Sequence, residues 1–118
     1  NGSIVEQNPP LAEMLDMEPE KGYRREFAPL KNYELFPIAR KQPITSDEAS
    51  KGCSFHCNWC KHSFVLDEHF QRKPKKIVNE LKHLKTLGYK EVFFIDPTFT
   101  LDKNWANELL DLILKSHH

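Results

Sequence analysis

The chain has 118 residues, with 17 Lys+Arg against 17 Asp+Glu and a formal net charge of zero. That length suits one domain with one modest core, and the charge balance argues against a dedicated nucleic-acid binder, which ordinarily shows a basic excess. Mean hydropathy is -0.63, and no apolar run reaches the roughly 18 residues of a membrane helix.

The start, Asn1-Gly2-Ser3, lacks the basic and apolar regions of a secretory leader, so a cytoplasmic protein is expected. Six of the eight prolines precede Cys53, and their spacing leaves little room for long helices. Residues 1–42 therefore read as a Pro-rich irregular extension, with a short helix expected over Leu11 to Met17. Tyr23, Phe27, Leu30, Tyr33, Leu35, Phe36 and Ile38 are too apolar for a free tail. They suggest an extension draped over another surface, the rest of this chain being one candidate.

Residues 44–50 are the weakest strand expectation, because Thr45, Ser46, Asp47 and Glu48 are polar for a central strand. All three cysteines follow, at Cys53, Cys57 and Cys60. Thiols this close cannot staple distant segments as a disulfide framework does, and they read as a metal site in a reducing compartment. Thiolates are soft ligands, suited to zinc or to an iron–sulfur cluster. His56 or His62 can complete a Cys3His zinc site, which would make the chain a non-enzymatic interaction module. A cluster held by three thiolates would instead leave one iron open to an exogenous ligand, since most electron-transfer clusters have four cysteines.

After Pro74 the pattern becomes regular. Ile77, Val78, Leu81 and Leu84 fall at helical spacing, with Pro74 fitting the first helical position and Gly88 the position past the end. Val92-Phe93-Phe94-Ile95 reads as a parallel strand buried on both faces, ended by Asp96-Pro97. Asp102 is the expected N-cap of a second helix with Trp105, Leu109, Leu112 and Ile113 along one face. Arg72, Lys73, Lys75 and Lys76 form a basic run, for which a solvated face is the simpler reading and an anionic partner the alternative. The order helix, strand, helix is α/β. If residues 44–50 form a parallel strand, Asp96 and the cysteines share the carboxyl end of the sheet, where such folds bind ligands.

The run Cys53-Ser54-Phe55-His56-Cys57-Asn58-Trp59-Cys60 resembles the C-x-x-x-C-x-aromatic-C hallmark of the radical S-adenosylmethionine (SAM) superfamily, with Ser50-Lys51-Gly52 as a similar lead-in. The helix 74–87, the strand 91–96 and Phe94 to Asp102 are similar to the branch associated with an upstream cobalamin domain. The resemblance implies that Cys53, Cys57 and Cys60 bind three irons of a [4Fe-4S] cluster and that SAM chelates the fourth. It further implies that Trp59 packs beside the adenine, largely through its backbone, and that Asp96 lies near the SAM amino group. The implied activity is reductive cleavage of SAM to a 5′-deoxyadenosyl radical, fed by a donor such as flavodoxin or ferredoxin, on an unidentified substrate. Asp67 and His69 begin a cobalamin-type D-x-H-x-x-G, but Arg72 stands in place of the glycine, so no cobalamin site is expected here. The implied fold is the first two βα units of a partial (β/α) barrel over residues 43–118. A fragment is therefore expected, its missing strands supplied by further chain or by a partner.

Overall fold

A computed structural model describes residues 25–27, 40–60 and 68–116. The expected short helix over Leu11 to Met17, most of the apolar extension and His62 lie outside the described residues.

Two helices supply most of the core; the first begins and ends, and the second begins, where the sequence signals place them. Helix α1, Pro74–Thr86, starts on a proline, whose missing N–H costs nothing in a first turn. Its end is a Schellman turn: Gly88, at φ 97°, donates its N–H to the Lys85 carbonyl at 3.1 Å, and Tyr89 donates to Leu84 at 3.1 Å. Helix α2, Lys103–Ser116, is capped by Asp102, whose Oδ1 accepts the N–H groups of Asn104 at 2.9 Å and Trp105 at 3.1 Å. Ile77, Val78, Trp105, Ala106 and Leu109 from these helices form the buried core with Ala49. Leu81, Phe94, Phe99, Leu112 and Ile113 pack against it. Phe99 joins the strand side to α2, its ring 5.4 Å from Phe94 and 5.5 Å, edge-on, from Trp105.

Strand β1, Ile44–Asp47, does form. Strands β2 and β3 are the two-residue segments Ser50–Lys51 and Phe70–Gln71, and strand β4 is Glu91–Phe94. β1 and β4 pair in parallel, Ile44 beside Glu91 through to Asp47 beside Phe94, with α1 in the crossover. Lys90 N–H to the Pro43 carbonyl at 2.8 Å opens this ladder, and Ile95 N–H to the Asp47 carbonyl at 3.0 Å closes it. β2 and β3 make a small antiparallel pair beside it.

Two expectations change. The apolar run after α1 is not buried on both faces: Phe93 and Ile95 remain 43% and 49% exposed, while Phe94 meets the core. Successive strand residues point to opposite faces, and among the described residues the helices cover one face of a two-stranded sheet. Arg72 does not belong to a solvated basic run. It is 7% exposed, and its Nη1 lies 3.4 Å from Asp47 and donates to the Glu48 carbonyl at 2.8 Å.

That ion pair explains the polar strand. Asp47 has no exposed side-chain surface, and Arg25, from the three-residue 3-10 turn Arg25–Phe27, also approaches its Oδ1, at 3.6 Å. Arg25 also donates to Thr45 Oγ1 and, at 2.7 Å, to the Ser46 carbonyl. One described piece of the extension therefore does lie on the sheet. Burial pushes the Asp47 carboxyl above its ordinary value, with the two guanidinium groups and the Glu48 N–H pulling the other way.

Candidate metal centre

Because β1 and β4 are parallel, their carboxyl ends lie side by side, and the cysteine loop and Asp96 both leave from that end. The chain passes from β1 through Glu48 and Ala49 into β2, then turns at Gly52, whose φ of 78° is a left-handed geometry that favours glycine. Cys53 follows at once. On the facing side, β4 ends and Asp96, Pro97 and Thr98 form the start of a turn.

These segments are tied together by side chains. Asp96 Oδ2 accepts the Ala49 N–H at 3.1 Å, and Oδ1 accepts the Ser50 hydroxyl at 2.6 Å together with the Ser50 N–H. Two residues on, the Thr98 hydroxyl donates to Cys53 Sγ at 3.3 Å. This bond and the Phe55 N–H favour the thiolate and hold Cys53 below the usual thiol value. Further along, the Cys60 N–H donates to the Cys57 carbonyl at 3.0 Å, a tight turn that brackets Asn58 and Trp59.

All three cysteines are free and partly exposed. Among the described residues, no three His, Cys, Asp or Glu side chains stand close enough together to hold a metal ion. The chemistry of the donor set nevertheless fits a soft metal group: three thiols on eight consecutive residues, one hydrogen-bonded at its sulfur and two on a short turn. His56 is exposed, and Trp59 is 88% exposed, so its ring is not a core anchor.

Asp96 has a second occupation beyond the one its resemblance implies. Three donors from Ala49 and Ser50 engage its carboxylate, leaving about one of its four lone-pair directions open. Sequence reasoning singled out Asp96 but not the bonds that Ser50 makes to Asp96 and Thr98 makes to Cys53. The available signal was topological: in a parallel pair, a hydroxyl just past the second strand faces the loop that follows the first. Sequence reasoning also missed the Asp47–Arg72 pair, which fixes the stem from which the loop departs.

Comparison with known proteins gives partial likenesses. The chain is 30% identical over 87 residues to an uncharacterized methyltransferase of Pyrococcus horikoshii, a match covering 69% of this chain and 19% of that protein. It is 42% identical over 60 residues to the tRNA-2-methylthio-N(6)-dimethylallyladenosine synthase of Clostridium beijerinckii, covering 50% of this chain and 13% of that enzyme. The enzyme of the same name from Clostridium botulinum is 35% identical over 60 residues, again across 50% of this chain and 13% of the relative. This chain thus spans less than a fifth of the length of each of these relatives. No family model and no solved structure matches it. Taken together, the likenesses support the radical SAM superfamily at the coarse level of the superfamily and do not distinguish a cobalamin-associated branch.

Proposed function

We propose that residues 43–118 are the opening βα units of a radical SAM core, in which Cys53, Cys57 and Cys60 hold three irons of a [4Fe-4S] cluster and SAM completes the fourth. The observation that carries this reading is the cysteine loop tied by Asp96 and Thr98 to the carboxyl end of a parallel strand pair. A cluster held by Cys53, Cys57 and Cys60 would pass one electron, taken from a flavodoxin- or ferredoxin-like donor, to SAM for reductive cleavage to methionine and a 5′-deoxyadenosyl radical able to take a hydrogen atom from a substrate.

The chain's own residues bind and orient. Three thiolates fix the metal group and leave one position for SAM's amino and carboxylate groups. Trp59, between two of the ligands and exposed, offers an aromatic surface for the adenine. Asp96, held by Ala49 and Ser50, keeps one acceptor direction for the SAM amino group. The exposed face carrying Phe93 and Ile95 is where further strands of the parent would exclude water. A cytoplasmic setting and a flavodoxin- or ferredoxin-like donor complete the reading, and the substrate is left open.

The test is anaerobic reconstitution with iron and sulfide, followed by reduction and electron paramagnetic resonance with and without SAM. A [4Fe-4S] signal that changes on adding SAM is expected. Stoichiometric zinc in the purified protein with no cluster uptake would overturn the reading in favour of a Cys3His module. Cys57→Ala should abolish cluster uptake while His62→Ala leaves it intact. Loss of metal on His62→Ala points to zinc.

A further inference from the structure

The three thiols are not held equally. Cys53 has both a side-chain partner, Thr98, and a fixed approach: Gly52 is buried, and the two residues before it pair with β3. Among the described residues, neither the Cys57 nor the Cys60 sulfur has a hydrogen-bond partner, and their mutual bond is between backbones. The donor to Cys53 comes from the Asp96–Thr98 segment, which also binds the root of the loop through three hydrogen bonds to Ala49 and Ser50. One short segment past β4 therefore grips the cysteine loop at two levels, its root and its first sulfur.

The geometry points to Asp96–Thr98 as the positioning element of the cysteine loop, with Thr98 holding Cys53 Sγ in place as the fixed first ligand onto which Cys57 and Cys60 close. This rests on the proposed three-thiolate site but not on which metal fills it. Thr98 acts through Cys53 and is a positioning residue. A hydroxyl donating to a thiolate sulfur fixes its direction and withdraws charge from it, and both effects persist once a metal is bound. Fixing one ligand beforehand reduces the ordering that loading must supply. Removing the donor should therefore weaken binding and alter the electronic signature of the metal–thiolate bonds.

The probe is Co2+, whose thiolate-to-metal absorption reports on sulfur ligation whether the native group is a cluster or zinc. The full chain is titrated anaerobically as wild type, Thr98→Val and Thr98→Ser. Thr98→Val, nearly equal in shape, should bind Co2+ about tenfold more weakly, as expected for loss of one hydrogen bond to a charged group. Its charge-transfer band should move to lower energy, because an undamped thiolate is the better electron donor. Thr98→Ser restores the hydroxyl and should return affinity and band position to wild type. A residue with a purely structural role would not move the band. Unchanged affinity and band position in Thr98→Val, or no recovery in Thr98→Ser when both variants match wild-type far-UV circular dichroism, overturns the proposal. Should wild type bind Co2+ through its thiols with the Thr98 effect yet take up no iron–sulfur cluster, the cluster reading fails and the positioning role stands.

Discussion

The helix pair with the β1–β4 ladder and the cysteine loop are adjacent but built on different principles. In the first, side chains from four elements bury one another: Ile77, Leu84 and Leu109 are fully covered, and the helix ends satisfy their own backbone groups through Asp102 and Gly88. In the second, Phe55 is 53% exposed and Trp59 88%, and attachment is concentrated at one end through Asp96 and Thr98. A packed region draws its geometry from close contacts in every direction. The loop has few such contacts, so polar anchors at its root must set its position. The scaffold therefore carries the stability, and the loop retains freedom to close around a ligand.

The strongest way to break this division is to damage the scaffold and watch the loop. Leu109→Ala removes a side chain with 0% exposure from the centre of the core. It should lower the unfolding free energy by about 3 kcal/mol in urea titrations followed by circular dichroism. Chymotrypsin cleavage after Phe55 or Trp59 should remain fast and nearly unchanged, because that chain is already exposed. A parallel acceleration of loop cleavage would mean that the loop shares the scaffold's cooperativity, and the contrast would fall.

The buried charges give the next effect, with a defined pH dependence. Arg72→Leu removes a close partner from Asp47 and should cost about 3 kcal/mol near neutral pH. The folded Asp47 carboxyl is raised above its ordinary value of 3.8 because burial outweighs its cationic neighbours. An acid with a raised folded value binds its proton more tightly when folded, so its contribution is fully present below 3.8 and declines as pH rises through the folded value. Wild type should therefore lose stability relative to Asp47→Asn across that window. The Arg72→Leu penalty should shrink in acid, where Asp47 is neutral. Both are read from denaturation midpoints in a pH series, and the opposite slope would show that pairing outweighs burial.

This pair also marks where the sequence stops being legible. Helix periodicity, the Asp102 cap and the Gly88 terminator are local signals, and the helices start and stop on them. The metal-type spacing of Cys53, Cys57 and Cys60 is local too. Thr45 to Glu48 look unlike a central strand because they are a polar run, whereas the charge of Asp47 is met by Arg25 and Arg72, 22 and 25 residues away. A propensity window cannot see such partners. The same reason hid Thr98, whose donation to Cys53 spans 45 residues and depends on the parallel register of β1 and β4. The burial expected for Phe93 and Ile95 rests on an uninterrupted β-branched and aromatic run after a helix, a pattern that does not specify how many layers cover a strand.

Trp59 gives the smallest effect on stability and the sharpest separation of the two regions. At 88% exposure it removes little apolar area from water, so Trp59→Ala should change the unfolding free energy of the metal-free chain by less than about 0.5 kcal/mol. Its place between Cys57 and Cys60, bracketed by the Cys60-to-Cys57 backbone bond, puts it in the turn that joins two of the proposed ligands. If the adenine of SAM packs there, Trp59→Ala should still take up iron and sulfide while the SAM-induced change in the resonance spectrum weakens severalfold. A loss of more than about 1 kcal/mol of stability would instead mark Trp59 as a packing residue. The loop would then belong to the core, and its exposed aromatic surface would no longer be available to a cofactor.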